Sequence, residues 1–320
     1  MADRSKIEWT DATWNPVTGC TKVSPGCKHC YAEREWPRMQ KLVPAYSGRA
    51  FTTVRCHPER IKQPLRWRRP RRVFVNSMSD LFHHDVPDSF IADVFRVMRE
   101  ARQHTFQILT KRPERAVQWF SKIREWNSCM VYQRDAERAD FVGKADAWPL
   151  PNVWIGISVE DQAAADERIP LLLKISAAVR FLSVEPMLGP ISFEGMFANP
   201  SNPADGTNML ECIDWVIVGG ESGPNARPMH PAWGRSLRDQ CEVVGVPFLF
   251  KQWGAWEAAN VHPQMIPVYV KSCILNTDGT LYHGPSQSRP CGAEGMLWVG
   301  RKATNRLLDG AEHNAYPGGK

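Results

Sequence analysis

Val-Trp-Ile-Gly-Ile-Ser-Val-Glu-Asp, at residues 153–161, shows the pattern that decides how this chain folds. Its apolar first half is typical of a buried β-strand, and the polar residues that follow mark the carboxyl end of that strand. Helix-compatible sequence then continues to about residue 175. A buried strand followed by a helix predicts one β-α unit of a parallel sheet.

The same unit recurs along much of the chain. The other apolar segments lie at residues 73–75, 106–109, 179–182, 213–218 and 246–250. They bring the predicted strands to six, or to seven if the weakly alternating residues 7–14 are included. Polar groups follow nearly every strand, as at the rim of a barrel, whereas a doubly wound sheet gathers its ligands at one switch point. The sequence therefore predicts an α/β fold, a partial or closed (β/α) barrel.

The barrel is expected to occupy residues 1–254, and 320 residues are enough for one large domain with an appendage. The polar, mixed sequence at 127–150 predicts an insertion. Past residue 254 the pattern changes, and Thr-Asp-Gly-Thr at 277–280 predicts a hairpin turn. Residues 255–320 are therefore expected to form a small C-terminal appendage.

A cysteine-rich loop at residues 15–33 precedes the repeating units. Cys20, Cys27 and Cys30 stand there among Gly19, Pro25 and Gly26, and these turn-forming residues let the backbone wrap round a small object. Three thiols in such a loop suggest a metal. With three thiolates instead of four, one metal position stays open, which a catalytic site needs.

These residues also carry a resemblance to a known family. Asn15-Pro16, Gly19-Cys20 and Cys27-Lys28-His29-Cys30-Tyr31-Ala32 resemble the cluster loop of radical S-adenosylmethionine enzymes of the spore photoproduct lyase type. Six residues separate the first two cysteines, where that family has three. This wider spacing is typical of a phage-associated three-cysteine family of unknown function, and the chain is identified as a member.

The resemblance implies the cofactors, the reaction and a set of site residues. Cys20, Cys27 and Cys30 would bind a [4Fe–4S] cluster, and S-adenosyl-L-methionine would bind the iron that they leave open. An electron donor would reduce the cluster, and a 5′-deoxyadenosyl radical would then abstract a hydrogen from the substrate. The resemblance places several residues that follow the strands near S-adenosylmethionine. Two of them have a structural alternative: Asp80 could instead cap a turn, and Lys111 could be an ordinary surface residue. The full set is Ser79, Asp80, Lys111, Ser158 and Glu185, the last ranked above Glu160. The catalytic hydrogen donor is not identified.

Two features of the sequence keep other interpretations open. The three thiols could instead hold Zn²⁺ with His29 or His57 as fourth ligand, which would make the chain a zinc-stabilised nucleic-acid-binding module without catalysis. Gly219-Gly220-Glu221 matches in letters a motif that many radical enzymes use for the methionine ammonium. It follows about the sixth strand and not the second, so that role is not transferred.

The net charge of +6 is modest, but basic residues concentrate before the first repeating strand. Basic residues interleaved with an aromatic suit phosphates and a stacked base, although the same segment could be a solvated connector. The candidate nucleic-acid contacts are Arg66, Trp67, Arg68, Arg69, Arg71 and Arg72. A nucleic-acid base is the first-choice substrate, and a peptide or small metabolite is the alternative.

Two further expectations concern the compartment and the tryptophans. The chain has no apolar run long enough to cross a membrane, no signal-peptide pattern at its start, and scattered cysteines that a reducing compartment would keep as thiols. These features predict a cytoplasmic protein without membrane partners and leave its oligomeric state open. Trp14 and Trp253 are the tryptophans expected to touch a ligand.

Overall fold

A computed structural model describes residues 5, 7–129, 148–199, 201–202, 205–259, 271–282, 290–300 and 304–318, without the side chains of 123–129. The helices are α1 (Tyr31–Leu42), α2 (Pro58–Ile61), α3 (Asp88–Glu100), α4 (Pro113–Cys129), α5 (Gln162–Leu173) and α6 (Pro231–Val244). The larger strands are β1 (Ala12–Trp14), β4 (Arg72–Val75), β5 (Thr105–Thr110), β6 (Val153–Ser158), β7 (Val179–Val184), β8 (Trp215–Gly219) and β9 (Phe248–Gln252). The shorter strands are β2 (Val17–Thr18), β3 (Arg55–Cys56), β10 (Trp256–Ala258), β11 (Ser272–Leu275), β12 (Leu281–Tyr282), β13 (Glu294–Trp298), β14 (Leu307–Leu308) and β15 (Ala311–Glu312).

Seven of the strands form one parallel sheet in the order β1-β4-β5-β6-β7-β8-β9. Consecutive neighbours in the chain are also neighbours in the sheet, as successive β-α units produce. This order confirms the predicted α/β fold, a partial (β/α) barrel with β1 and β9 at its edges. The C-terminal strands form small antiparallel sheets, β10-β13-β11-β12 and β14-β15. The predicted hairpin is the β11–β12 pair, with Gly279 at φ 92° in its turn.

The chain divides into two compact units. The first comprises Met1–Val23, Ala32–Ile157 and Ile169–Arg180, and so holds β1, β4, β5 and nearly all of β6. Its core includes the buried residues Val73, Phe74 and Val75 of β4 and the apolar face of α3. Trp119 of α4 stacks on Phe95 of α3 with ring centroids 4.7 Å apart. Aromatic packing of this kind anchors the helices of the first unit.

The second unit comprises Ser24–Tyr31, Ser158–Arg168 and Phe181–Lys320. All five residues of β8 are buried, as expected for a strand covered on both faces. Helix α6 (Pro231–Val244) is not among the elements expected from the sequence, although both of its ends carry ordinary signals. Pro231 takes the first helical position after the cap residue His230, and Gly245 ends the helix at φ 73°.

Two predictions on domain organisation, the insertion at 127–150 and the boundary after residue 254, remain predictions. Helix α4 extends to Cys129, and residues 130–147 lie outside the described part of the chain, so most of the predicted insertion at 127–150 does too. The predicted boundary between residues 254 and 255 stays a prediction. Pro37 lies inside α1, which continues through it as one helix.

Candidate functional site

Asp80 braces the turns that follow β4 and β5 in the first unit. Its carboxylate is buried and accepts hydrogen bonds from Thr110 Oγ1 at 2.8 and 3.0 Å, from Lys111 N at 3.0 Å and from Phe82 N at 2.9 Å. The contact with Phe82 matches the turn cap that the sequence offered as the alternative for Asp80. The bond from Lys111 N also fixes the backbone of Lys111, the lysine that the sequence predicts near the cofactor.

The first arm of the cysteine loop is tied to the segment after β4. Ser79 Oγ donates to Val17 O at 2.8 Å, and Gly19 N donates to Met78 O at 3.1 Å. Gly19 has φ 89°, and a Cβ at this position would overlap the backbone carbonyl of Thr53, so only glycine fits. These bonds define the chain path that leads directly into Cys20.

The second arm of the loop, residues 24–31, belongs to the second unit and is held by Glu160. Ser24 Oγ donates to Glu160 Oε1 at 2.6 Å, and Gly26 lies so close that a Cβ there would overlap the same carboxylate. Arg168 Nη1 donates to Glu160 Oε2 at 3.0 Å and to Ser158 O at 2.7 Å. Glu160 and Arg168 form a buried ion pair, and this pair supports the loop next to Cys27.

Glu221 holds the same arm at a second point. His29 Nδ1 lies 3.0 Å from Glu221 Oε2, and Arg227 reaches the carboxylate through Nη2 at 2.6 Å and Nε at 2.9 Å. Arg227 Nη2 also donates to Pro25 O at 3.0 Å. Burial raises the pKa of the Glu221 carboxyl, but hydrogen bonds from Arg227 and His29 outweigh burial and leave that pKa below its ordinary value. The Gly-Gly-Glu letters thus mark a loop anchor after β8.

Glu185 and Lys251 meet at the carboxyl ends of β7 and β9. Lys251 Nζ donates to both carboxylate oxygens, at 2.7 and 2.8 Å, and Gln252 Nε2 donates to Oε1 at 3.3 Å. A Cβ at Gly219 of β8, the strand between them, would lie 3.4 Å from the Glu185 carboxylate. Ser158, also predicted to bind the cofactor, is buried at the end of β6. Both charged side chains remain partly exposed, so the pair could exchange partners with a polar ligand.

The donor set of the cysteine loop fits a thiolate-bound metal group. The cysteines that the structure describes are all free of disulfides, and Cys20, Cys27 and Cys30 are each partly exposed. By contrast, burial raises the pKa of Cys241 to about 12 and that of Cys273 to about 11, so these stay protonated thiols. Cys20, Cys27 and Cys30 combine accessible sulfurs with close spacing in one loop, as a thiolate-bound metal group requires.

The zinc interpretation loses one of its two candidate histidines. His57 is fully buried, with Nε2 lying 2.8 Å from Thr18 Oγ1 and Nδ1 lying 3.1 Å from Glu59 Oε1. Both ring nitrogens are therefore engaged within the protein. A fourth zinc ligand from these two histidines would have to be His29.

His83, His84 and Asp85 form a further cluster of donor atoms in the described residues. His83 Nε2 contacts Thr21 Oγ1 at 2.8 Å, and its Nδ1 accepts a hydrogen bond from Asp85 N at 3.2 Å. The two imidazole rings stack with centroids 4.2 Å apart. Both ring nitrogens of His83 are thus already engaged within the protein.

The basic segment divides into paired and exposed residues. Arg72 begins β4 and pairs with Asp11, its Nη2 lying 3.1 Å from Asp11 Oδ1. The Arg71 guanidinium lies 5.3 Å from the Trp67 ring centroid, and Trp67 itself is half-buried with its ring edge-on to His104. The arginines left exposed to solvent are Arg66, Arg68 and Arg69.

Trp14 and Trp253, the tryptophans expected to touch a ligand, offer little surface to one. Trp14 is fully buried and donates its indole N–H to Arg60 O at 2.9 Å. Trp253 is buried as well and donates its indole N–H to Leu307 O at 2.9 Å. Both rings belong to the packed interior.

Comparisons with known proteins place the chain in one family and give it no characterised relative. In the part of the chain that the structure describes, no helix has the length and apolarity needed to cross a membrane. No curated protein and no solved structure matches the sequence. One family model does match, over residues 4–317, which is nearly the whole chain. The chain therefore belongs to the family described as "Protein of unknown function (DUF5131)".

Proposed function

We propose that the protein is a radical S-adenosylmethionine enzyme in which Cys20, Cys27 and Cys30 hold a [4Fe–4S] cluster. The observation that carries the proposal is the donor set: three partly exposed thiols, without disulfides, on one short loop. The partial (β/α) barrel supports it, because enzymes on such folds place their sites at the carboxyl ends of the strands. When bound, the cluster would supply the electron that cleaves the sulfonium of S-adenosylmethionine to a 5′-deoxyadenosyl radical.

The chain's own residues would bind and orient that cofactor. Lys111 would bind the carboxylate of S-adenosylmethionine, and Asp80 would position Lys111 by accepting its backbone N–H. Glu185 and Ser158 would bind hydroxyl groups of the cofactor, and Lys251 holds the Glu185 carboxylate in place. The hydroxyl of Ser79 orders the loop through Val17 O.

A nucleic-acid base is the substrate class that we propose, with an electron-donor protein as a second partner. The support is the exposed trio Arg66, Arg68 and Arg69, whose charges suit a phosphate backbone. Trp67 adds an aromatic face beside them, already covered in part by Arg71. A peptide or small-metabolite substrate would make this surface irrelevant.

Anaerobic reconstitution with iron and sulfide tests the cluster. The parent should turn brown and bind about four irons per chain, and Cys20→Ala, Cys27→Ala or Cys30→Ala should each abolish both. Cys291→Ala, at an exposed cysteine outside the loop, is the matched control and should keep the iron. A colourless protein holding a single zinc ion would instead establish the non-catalytic zinc module.

Cofactor binding is tested on the reconstituted protein with S-adenosylmethionine. The parent should release 5′-deoxyadenosine and methionine slowly under reducing conditions without substrate. Lys111→Ala should weaken S-adenosylmethionine binding and Lys111→Arg should restore part of it, with the iron content unchanged in both. Parent-like affinity in Lys111→Ala would remove this residue from the cofactor site.

A further inference from the structure

Arg112 connects the turn after β5 to the Cys20 end of the cysteine loop. Its Nη2 donates to Thr21 O at 3.0 Å and to Thr21 Oγ1 at 2.8 Å. Its Nη1 lies 4.0 Å from Cys20 Sγ, within the range of a weak N–H···S contact. One guanidinium therefore holds the backbone and the side chain of the residue next to Cys20, and faces the sulfur as well.

The guanidinium is itself fixed from behind. Arg112 Nη1 lies 3.7 Å from Asp80 Oδ2, and Arg112 N donates to Thr110 Oγ1 at 2.9 Å, whose hydroxyl is bonded to Asp80. The Arg112 side chain is 11% exposed. The Arg112 guanidinium is therefore held on both sides before any group binds at Cys20. Binding there would require little further ordering of the Arg112 side chain.

His83 completes the environment of Thr21 without adding charge. Its Nδ1 accepts from Asp85 N at 3.2 Å, which assigns the ring proton to Nε2, 2.8 Å from Thr21 Oγ1. Burial lowers the pKa of His83 to about 4, so the ring is neutral near pH 7. Of His83 and Arg112, which both contact Thr21, Arg112 is therefore the one that carries a charge.

We infer that Arg112 is a positioning residue that orders the Cys20 end of the loop and places a fixed positive charge at the Cys20 sulfur. The inference rests on the proposed function, since that charge acts on a bound cluster. Reduction adds negative charge to a cluster, and a cation or hydrogen-bond donor at a sulfur stabilises the added charge. Arg112 therefore makes the cluster easier to reduce.

Two substitutions separate ordering from charge, and both are studied in the full chain. Arg112→Lys keeps the positive charge but loses the fork that spans Thr21, whereas Arg112→Gln loses both. Arg115→Gln is the matched control, because Arg115 lies three residues further along the chain, in the first turn of α4, and pairs with Asp88 instead. Iron content is measured for each reconstituted protein before any other comparison.

The charge is tested by a redox titration of the cluster followed by electron paramagnetic resonance. Arg112→Gln should lower the reduced-to-oxidised ratio about tenfold at the potential where the parent is half reduced, a shift of about 59 mV for one electron. Arg112→Lys and Arg115→Gln should stay near the parent. A parent-like potential in an iron-loaded Arg112→Gln protein would overturn the effect of the charge.

The ordering is tested without metal, by hydrogen exchange of the peptide that contains Cys20 and Thr21. Both Arg112 variants should exchange several-fold faster there than the parent and Arg115→Gln. Exchange rates equal to the parent's would overturn the positioning role, whatever the metal does. A parent protein that binds no iron would overturn the proposed function and with it the electrostatic part of the inference, while the exchange rates would still decide the positioning role.

Discussion

The closest steric constraint in the second arm of the loop is the contact between Gly26 and Glu160. A Cβ at residue 26 would overlap Oε1, Cγ and Cδ of Glu160. A flexible surface carboxylate would simply move aside. Glu160 is 1% exposed and is bonded to Ser24 and Arg168, so Gly26→Ala has to break one or both of those bonds.

The expected cost follows from the bonds at risk. A hydrogen bond to a charged group contributes roughly 1.5–3 kcal/mol, and separating a buried ion pair costs about 3–5 kcal/mol. If Glu160 turns away from Ser24 but keeps Arg168, the lower range applies. We therefore expect Gly26→Ala to lower the free energy of unfolding by about 3 kcal/mol. If the loop holds the proposed cluster, the same change should also reduce the iron bound at the neighbouring Cys27.

Equilibrium urea denaturation, followed by circular dichroism, measures the change. Gly189→Ala is the matched control, because its Cβ would lie 3.4 Å from Asp161 Cβ, an ordinary contact. The variant Glu160→Ala and the double variant Gly26→Ala with Glu160→Ala complete a cycle. If the clash is the cause, the double variant should be no less stable than Glu160→Ala alone. A Gly26→Ala protein as stable as Gly189→Ala would refute the reasoning.

Three other predictions follow from single features of the structure. Gly234→Ala should stabilise the protein by about 1 kcal/mol in urea denaturation, because Gly234 lies inside α6 and its Cβ would meet side chains no closer than 3.7 Å; a loss of stability would contradict this. Burial lowers the pKa of His57 to about 4, so the unfolded chain takes up a proton first as pH falls below about 6.5. Stability of up to about 3 kcal/mol should be lost between pH 6.5 and 4, and His57→Gln should flatten that dependence; an unchanged slope would contradict it. Replacing Arg68 and Arg69 by Gln should reduce the salt dependence of single-stranded nucleic-acid binding by about 0.7 log units per lost phosphate contact; no binding by the parent at low salt would remove the nucleic-acid proposal.

Much of the sheet could be predicted because its strands carry their own signal. Buried runs such as residues 153–158 and 215–219 are apolar enough to be recognised without knowing their neighbours. Helix α6 was missed although Trp233, Leu237 and Cys241 recur every four residues on its buried face. Its start at Pro231 follows residues 219–230, a stretch rich in glycine and proline that obscures where the periodic pattern begins.

The residues that hold the cysteine loop could not be predicted from the sequence, because their partners lie far away in the chain. Glu160 is 136 residues from Ser24 in the chain, and Glu221 is 192 residues from His29. Each carboxylate read alone as a polar residue after a strand, and nothing local distinguishes a loop anchor from a ligand contact. The same holds for Arg112, which sits beside the predicted Lys111 but contacts Thr21, 91 residues away.

The shared carboxylate of Asp80 affects how relatives of this chain should be compared. Because it holds Phe82, Thr110 and Lys111 together, a relative that has lost all catalysis would still need an aspartate there to keep both turns. Retention of Asp80 therefore carries no information about activity. Lys111 has no such structural duty through its backbone bond, which any residue but proline can make. If Lys111 binds the cofactor as proposed, a relative that keeps Asp80 but varies at Lys111 would have retained the fold and lost that binding contact.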